Sequence, residues 1–283
     1  MAWFVDPFSS ELMQRALAAG LLAVLATSLV GTWVVLRGLT FMGDALSHGV
    51  LPGAAAAFLL GFNLIVGALV SALVMVAGIS VVNRRAKLSD DVGIGLLFVG
   101  MLALGVVIIS RANSFTTDLQ GLLFGNVLGV TWGDVRVEAA AAVVVVAIVV
   151  LCYRPFLALS FNVDKAATLG LRPGLSHLAM LATVAIAIVA SFRAVGALLV
   201  FGLLVAPPAT ASLLVRRVPA IMVTAVVLGS AAVVVGLAAS YHYDLAASAT
   251  VAGVSVGGFF AVLAATELVA LIRRSTPRPV PSP

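Results

Sequence analysis

The chain alternates long apolar runs with short polar breaks. Apolar runs lie at about 14–36, 43–60, 63–82, 92–110, 133–152, 175–192, 195–215, 218–239 and 247–272. A helix rises about 1.5 Å per residue, so about 20 apolar residues cross the roughly 30 Å of hydrocarbon in a bilayer. The pattern predicts an all-α fold, a polytopic transmembrane helical bundle of about eight to nine spans. Residues 118–130 are apolar but short, and read as a re-entrant or interfacial piece. Gly49, Gly53, Ala57 and Gly61 recur every four residues in the second run. Ala249, Gly253, Gly257, Ala261 and Ala265 do so in the last. Small residues let helix backbones approach in lipid, which places the second run inside the bundle.

The breaks carry the charge. Arg37 follows the first run, Arg84, Arg85 and Lys87 the third, and Arg154, Lys165 and Arg172 the fifth. Arg216 and Arg217 follow the seventh, and Arg273 and Arg274 the ninth. With nine spans these clusters share one side, which the positive-inside bias makes cytoplasmic. The N-terminus is then outside and the C-terminus inside. Arg111, Arg136 and Arg193 fall on the other side, so the rule holds as a bias.

Composition agrees. The chain is 63% hydrophobic and 10% charged, against about 45–50% and about 25% in soluble domains. A net charge of +5 would point to nucleic acid if it formed a patch interleaved with aromatics. Here it sits at the ends of apolar runs, which excludes that class. Cys152, the only cysteine, makes no internal disulfide or cysteine-rich zinc site and is expected to pack as a small apolar residue near a helix end. Met1 to Gln14 holds no basic residue, so the first run is expected to stay as a span rather than be cleaved.

The longest polar interruption runs from Tyr153 to His177. Asn162 is a helix-start residue and Pro173-Gly174 a stop, which predicts a short cytoplasmic helix over 162–171. Residues 1–274 read as one membrane domain. The tail 275–283 contains four prolines and reads as disordered.

Ionisable groups inside a span are costly, about 2.5–3.5 kcal/mol for a charge at mid-span on insertion scales. Asp44 and His48 are the pair that lies deep, in Gly43-Asp44-Ala45-Leu46-Ser47-His48-Gly49-Val50-Leu51-Pro52-Gly53. A spacing of four puts both on one helical face. Carboxylate with imidazole holds manganese, iron or zinc. The same pair also reads as a helix-start aspartate bonded to a histidine one turn on. Two ligands do not complete a site, so others must come from another helix, water or a second copy. Pro52 removes the N–H that would bond the His48 carbonyl, predicting that this carbonyl is free. Of the remaining polar residues, Tyr241-His242-Tyr243-Asp244 reads as a solvated outer loop, His177 as interfacial, and Asp118 as a helix-start cap. Pro207-Pro208 breaks or kinks a helix.

The only lysines, Lys87 and Lys165, follow Ala86 and Asp164, so no glycine-lysine phosphate loop exists. Any ATP must be bound by another chain. No nucleophile–base pair appears, so no catalytic residue and no covalently bound cofactor is expected.

At Gly43-Asp44-x-x-Ser47-His48-x-x-Leu51-Pro52-Gly53 the chain resembles the permease family of ABC importers for manganese, zinc and iron. The resemblance covers nearly the whole chain. Supporting strings are Gly31-Thr32-Trp33-Val34-Val35-Leu36-Arg37, Asp118-Leu119-x-x-Leu122-Leu123-Phe124-Gly125-Asn126, and Val195-Gly196-x-Leu198-Leu199-Val200 leading to Ala206-Pro207. It implies a permease of the bacterial cytoplasmic membrane, with a fold like that of vitamin B12 importers. It also implies a second copy of the chain, two cytoplasmic ATPase subunits and an extracytoplasmic metal-binding protein. The family's transported-metal residues fall on Asp44 and His48. Its coupling helix falls on 162–171, with Asn162, Asp164, Ala166 and Gly170 facing the ATPase; family members often have Asp where Asn162 stands. Alternatives are a permease for a metal chelate, with a larger cavity and no bare-ion site, and an ion-coupled secondary transporter working alone. An intramembrane enzyme is a third class, disfavoured by the missing nucleophile–base pair.

Overall fold

Polar breaks end the apolar runs by identifiable local chemistry. In the computed structural model, which describes residues 6–86, 90–110, 129–161 and 171–275, a short 3-10 turn over Asp6–Ser9 leads to Ser10. The Ser10 hydroxyl caps α1 (Glu11–Leu36) by accepting from the Met13 N–H. Gly38, at φ +69°, turns the chain into α2 (Thr40–Gly49), which α3 (Leu51–Leu60) follows after one residue. Gly61, also at φ +69°, closes α3 with its N–H on the Ala57 and Phe58 carbonyls. There follow α4 (Leu64–Ala86), α5 (Asp90–Ile109), α6 (Trp132–Leu151), α7 (Tyr153–Phe161), α8 (Pro173–Val195), α9 (Ala197–Leu214), α10 (Val218–Tyr243) and α11 (Ala247–Ser275).

The expected count of eight to nine spans needs correction. Six helices are long and apolar enough to cross a bilayer by themselves: α1, α4, α5, α8, α10 and α11. A seventh arises if α6 and α7, bent by 65° at Cys152, form one span. The other two apolar runs are helical but fall outside that count among the described residues. The 43–60 run breaks into α2 and α3 at Val50, where Pro52 denies His48 its usual partner. The 195–215 run is the shorter helix α9. Apolarity alone does not report such breaks.

Helix α1 is the central post. It is apolar all round, as a helix enclosed by others must be, and α6, α8, α9 and α10 pack against it. Trp33, fully buried, meets Tyr153 and Phe156 edge-on at 5.5 and 5.9 Å. At the other end Trp132 donates its indole N–H to Glu11 at 3.0 Å. These two contacts make α1 and α6 parallel. Pro207 and Pro208 lie inside α9 without ending it. Pro208 has no N–H for the Leu204 carbonyl, which faces Gly31 of α1, where any side chain would collide with it. The Thr210 hydroxyl donates to the Ala206 carbonyl at 2.7 Å.

The two small-residue stripes have different fates. On α3 and its approach, a Cβ on Gly53 would meet the Gly67 carbonyl and stand 2.5 Å from Ser71 Cβ, while Gly49 faces Met75. Helix α4 therefore seats directly on this stripe, as expected. On α11, Ala249, Gly253, Gly257, Ala261 and Ala265 are all exposed, and nothing approaches Gly253 or Gly257 within 4 Å. Several expectations lie outside the described residues: the coupling helix with Asn162, Asp164, Ala166 and Gly170, Asp118 and its segment to 128, Lys87, Lys165, and the tail 276–283.

Candidate metal site

Asp44 and His48 stand one turn apart on α2, roughly 6 and 12 Å along its axis from Thr40. His48 Nε2 lies 3.7 Å from Asp44 Oδ1. That is beyond hydrogen-bond reach. Two donors each about 2.0–2.2 Å from one ion stand roughly 2.8–3.6 Å apart at angles of 90–110°. A movement of a few tenths of an ångström would bring both onto one ion. Their side chains are 38% and 28% exposed respectively, so an ion has access to them.

The surroundings fix the pair. Phe98 of α5 packs edge-on to the His48 ring at 5.5 Å and to Phe41 at 5.7 Å. His48 Nδ1 is buried with no hydrogen-bond partner, leaving Nε2 as the nitrogen that faces the carboxylate. The Ser47 hydroxyl is turned back to the Gly43 carbonyl at 2.8 Å and does not join the pair. Gly43 lets α2 close on α9, since a Cβ there would stand 2.5 Å from Leu204 Cδ2. At the break below His48, the Val50 N–H bonds the Leu46 carbonyl at 3.2 Å. The carbonyl claimed from outside is that of Gly49, which accepts the Ser71 hydroxyl of α4 at 2.7 Å. This bond stitches the break to its neighbour.

The other candidates are dispersed. His177 bonds Arg37 Nη1 through Nδ1 at 2.7 Å, tying α8 to the end of α1. His242 belongs to the last turn of α10 and stacks edge-on with Tyr241, and Asp244 takes the left-handed position that ends the helix. Among the described residues no group of three or more His, Cys, Asp or Glu is placed to hold an ion. Cys152 stands half-buried at the α6–α7 bend. Glu138 of α6, buried to 1% exposure, went unnoticed in the sequence. The capping box of Thr131 and Asp134 marks where α6 begins, and counting from it places Glu138 well inside the helix.

Comparison with known proteins bears on this arrangement. Residues 9–266 match the model of the ABC 3 transport family. The chain is 35% identical over 248 residues, 88% of each chain, to the manganese transport system membrane protein MntC of Listeria monocytogenes. It is 33% identical over 239 residues to the chelated iron transport system membrane protein YfeD of Yersinia pestis, covering 84% of this chain and 80% of that one. In structure it is similar to PsaBC from Streptococcus pneumoniae, solved in complex with Fab, with a TM-score of 0.82 and 28% identity over 93% of this chain and 95% of that one.

Proposed function

The chain belongs to the ABC 3 transport family, and on that premise we propose that it is the membrane-spanning permease of an ATP-driven importer of a divalent transition metal ion, manganese, zinc or iron. The observation that carries the reading is the Asp44–His48 pair, two donors 3.7 Å apart on a broken, glycine-packed helix. A hydrated dication loses much of its water on entering such a site. The carboxylate offsets that loss with charge and the imidazole with a directed lone pair. Water or a second chain completes the coordination.

The names of MntC and YfeD, a manganese and a chelated iron transport protein, support the substrate class. The bare-ion reading is preferred over a chelate because the two donors stand at about the spacing of one ion. ATP hydrolysis belongs to a partner, since the chain has no phosphate loop. Two ATPase subunits sit on the cytoplasmic face against 162–171, and an extracytoplasmic protein delivers the ion. A second copy of the chain is supported by α11, whose small-residue face stays exposed in the single chain although such stripes ordinarily seat another helix.

Uptake of radioactive manganese and zinc into proteoliposomes holding the permease with its ATPase tests the reading. Accumulation that needs ATP and the ATPase subunit is the expected result. Equal uptake by the permease alone, driven by an ion gradient, would establish the secondary-transporter alternative instead.

A further inference from the structure

Glu138 is the one carboxylate among the described residues that is fully buried. It lies on α6 six residues from Trp132, roughly 9 Å in from that helix end. Ser191 of α8, also fully buried, donates its hydroxyl to Glu138 Oε1 at 2.6 Å. Glu138 Oε2 has no hydrogen-bond partner. A carboxyl group in such a place is disfavoured by burial, and an intramembrane ionisable residue calls for a functional reason.

The topology suggests one. Helices α6–α7 and α8 flank the polar break at 162–172, where the family resemblance sets the coupling helix. They are antiparallel neighbours. At the end bearing the break, the pair is bent by 65° between α6 and α7, and α8 is joined to α1 through His177 and Arg37. At the far end the Glu138–Ser191 bond ties α6 to α8 directly. Helix α8 also packs against α2, which bears Asp44 and His48, and against α4, which holds the Gly49 carbonyl. Breaking the tie would leave a buried hydroxyl and a buried carboxyl both unsatisfied, so it resists opening when the helices move.

We propose that Glu138 and Ser191 are positioning residues that make α6 and α8 a single lever. A displacement delivered to the break between them reaches the opposite end of both helices together, and passes through α8 to the helix that holds the ion. This rests on the transport reading given above.

The test measures metal carried per ATP hydrolysed by the reconstituted complex. Ser191→Ala removes one oxygen and Glu138→Leu removes the acceptor. Both should hydrolyse ATP yet carry about tenfold less metal per ATP. Ser191→Thr and Glu138→Gln keep a donor and an acceptor and should stay within about threefold of the native ratio. A native ratio in Ser191→Ala, with the native complex transporting normally, overturns the lever. So does a loss of transport that only follows loss of folded complex while the ratio holds. A native complex that moves no metal is a separate result, and it overturns the transport reading itself.

Discussion

Asp44 could be read from the sequence because no apolar span tolerates a carboxylate without a reason, and His48 because it follows at one helical turn. Their shared face and spacing were legible. What holds them was not, since Phe98 comes from a helix some fifty residues on and pattern gives no sign of which face meets α2. Glu138 was missed for a related reason. Asp134 and Arg136 made that stretch look like a membrane boundary, where another charge needs no explanation. Phe98→Ala should have a graded effect. The donors remain, but the His48 ring loses the neighbour that orients it. The metal concentration for half-maximal uptake should rise by about three- to tenfold, the size expected for losing one aromatic contact of about 0.5–1.5 kcal/mol. Phe98→Trp should fall closer to the native value. Uptake measured across a range of manganese concentrations checks this, and an unchanged half-saturation in Phe98→Ala would show that the ring does not orient His48.

Periodicity located the helices but not their breaks. The nine apolar runs all prove helical, yet the second is cut at Val50, where the Gly49 carbonyl accepts the hydroxyl of Ser71 from another helix. Pro52 signalled a break, whereas Pro207 and Pro208 signalled one that does not end α9. The difference lies in partners that sequence does not display: α4 receives the break at Gly49, while Gly31 and Thr210 accommodate the carbonyls near the paired prolines. The two glycine stripes looked alike as text and differ in packing, which gives an element-scale prediction. Gly53→Leu forces a side chain into the Gly67 carbonyl of α4. It should destabilise the folded chain by at least the roughly 1–3 kcal/mol typical of overpacking, and lower its yield in detergent. Gly257→Leu meets nothing within 4 Å in the single chain. It should leave the monomer's melting temperature near native while weakening self-association. Thermal unfolding and light scattering on the two variants separate these effects. A Gly257→Leu chain that unfolds as readily as Gly53→Leu would place the α11 stripe inside the fold.

As a whole, the molecule has a central helix α1, a site helix α2 reached through α5, α8 and α9, and a helix α11 that leaves its small-residue face open. That arrangement suits a permease that pairs with its own copy and takes force from ATPases at one membrane face. The sequence-derived placement of coupling at 162–171 predicts that Ala166→Arg inserts and assembles but hydrolyses ATP without moving metal, because a long charged side chain does not fit a helix seated in a partner's groove. Assembled complex with normal transport would place the contact elsewhere. The central claim, that the ion passes through Asp44 and His48, is tested most directly by Asp44→Asn. This change keeps the shape of the side chain and removes the charge that offsets the ion's desolvation. Radioactive manganese and zinc uptake into proteoliposomes, normalised to assembled complex, should fall nearly to background while the protein still inserts and binds its ATPase. Near-native uptake by Asp44→Asn would contradict the account.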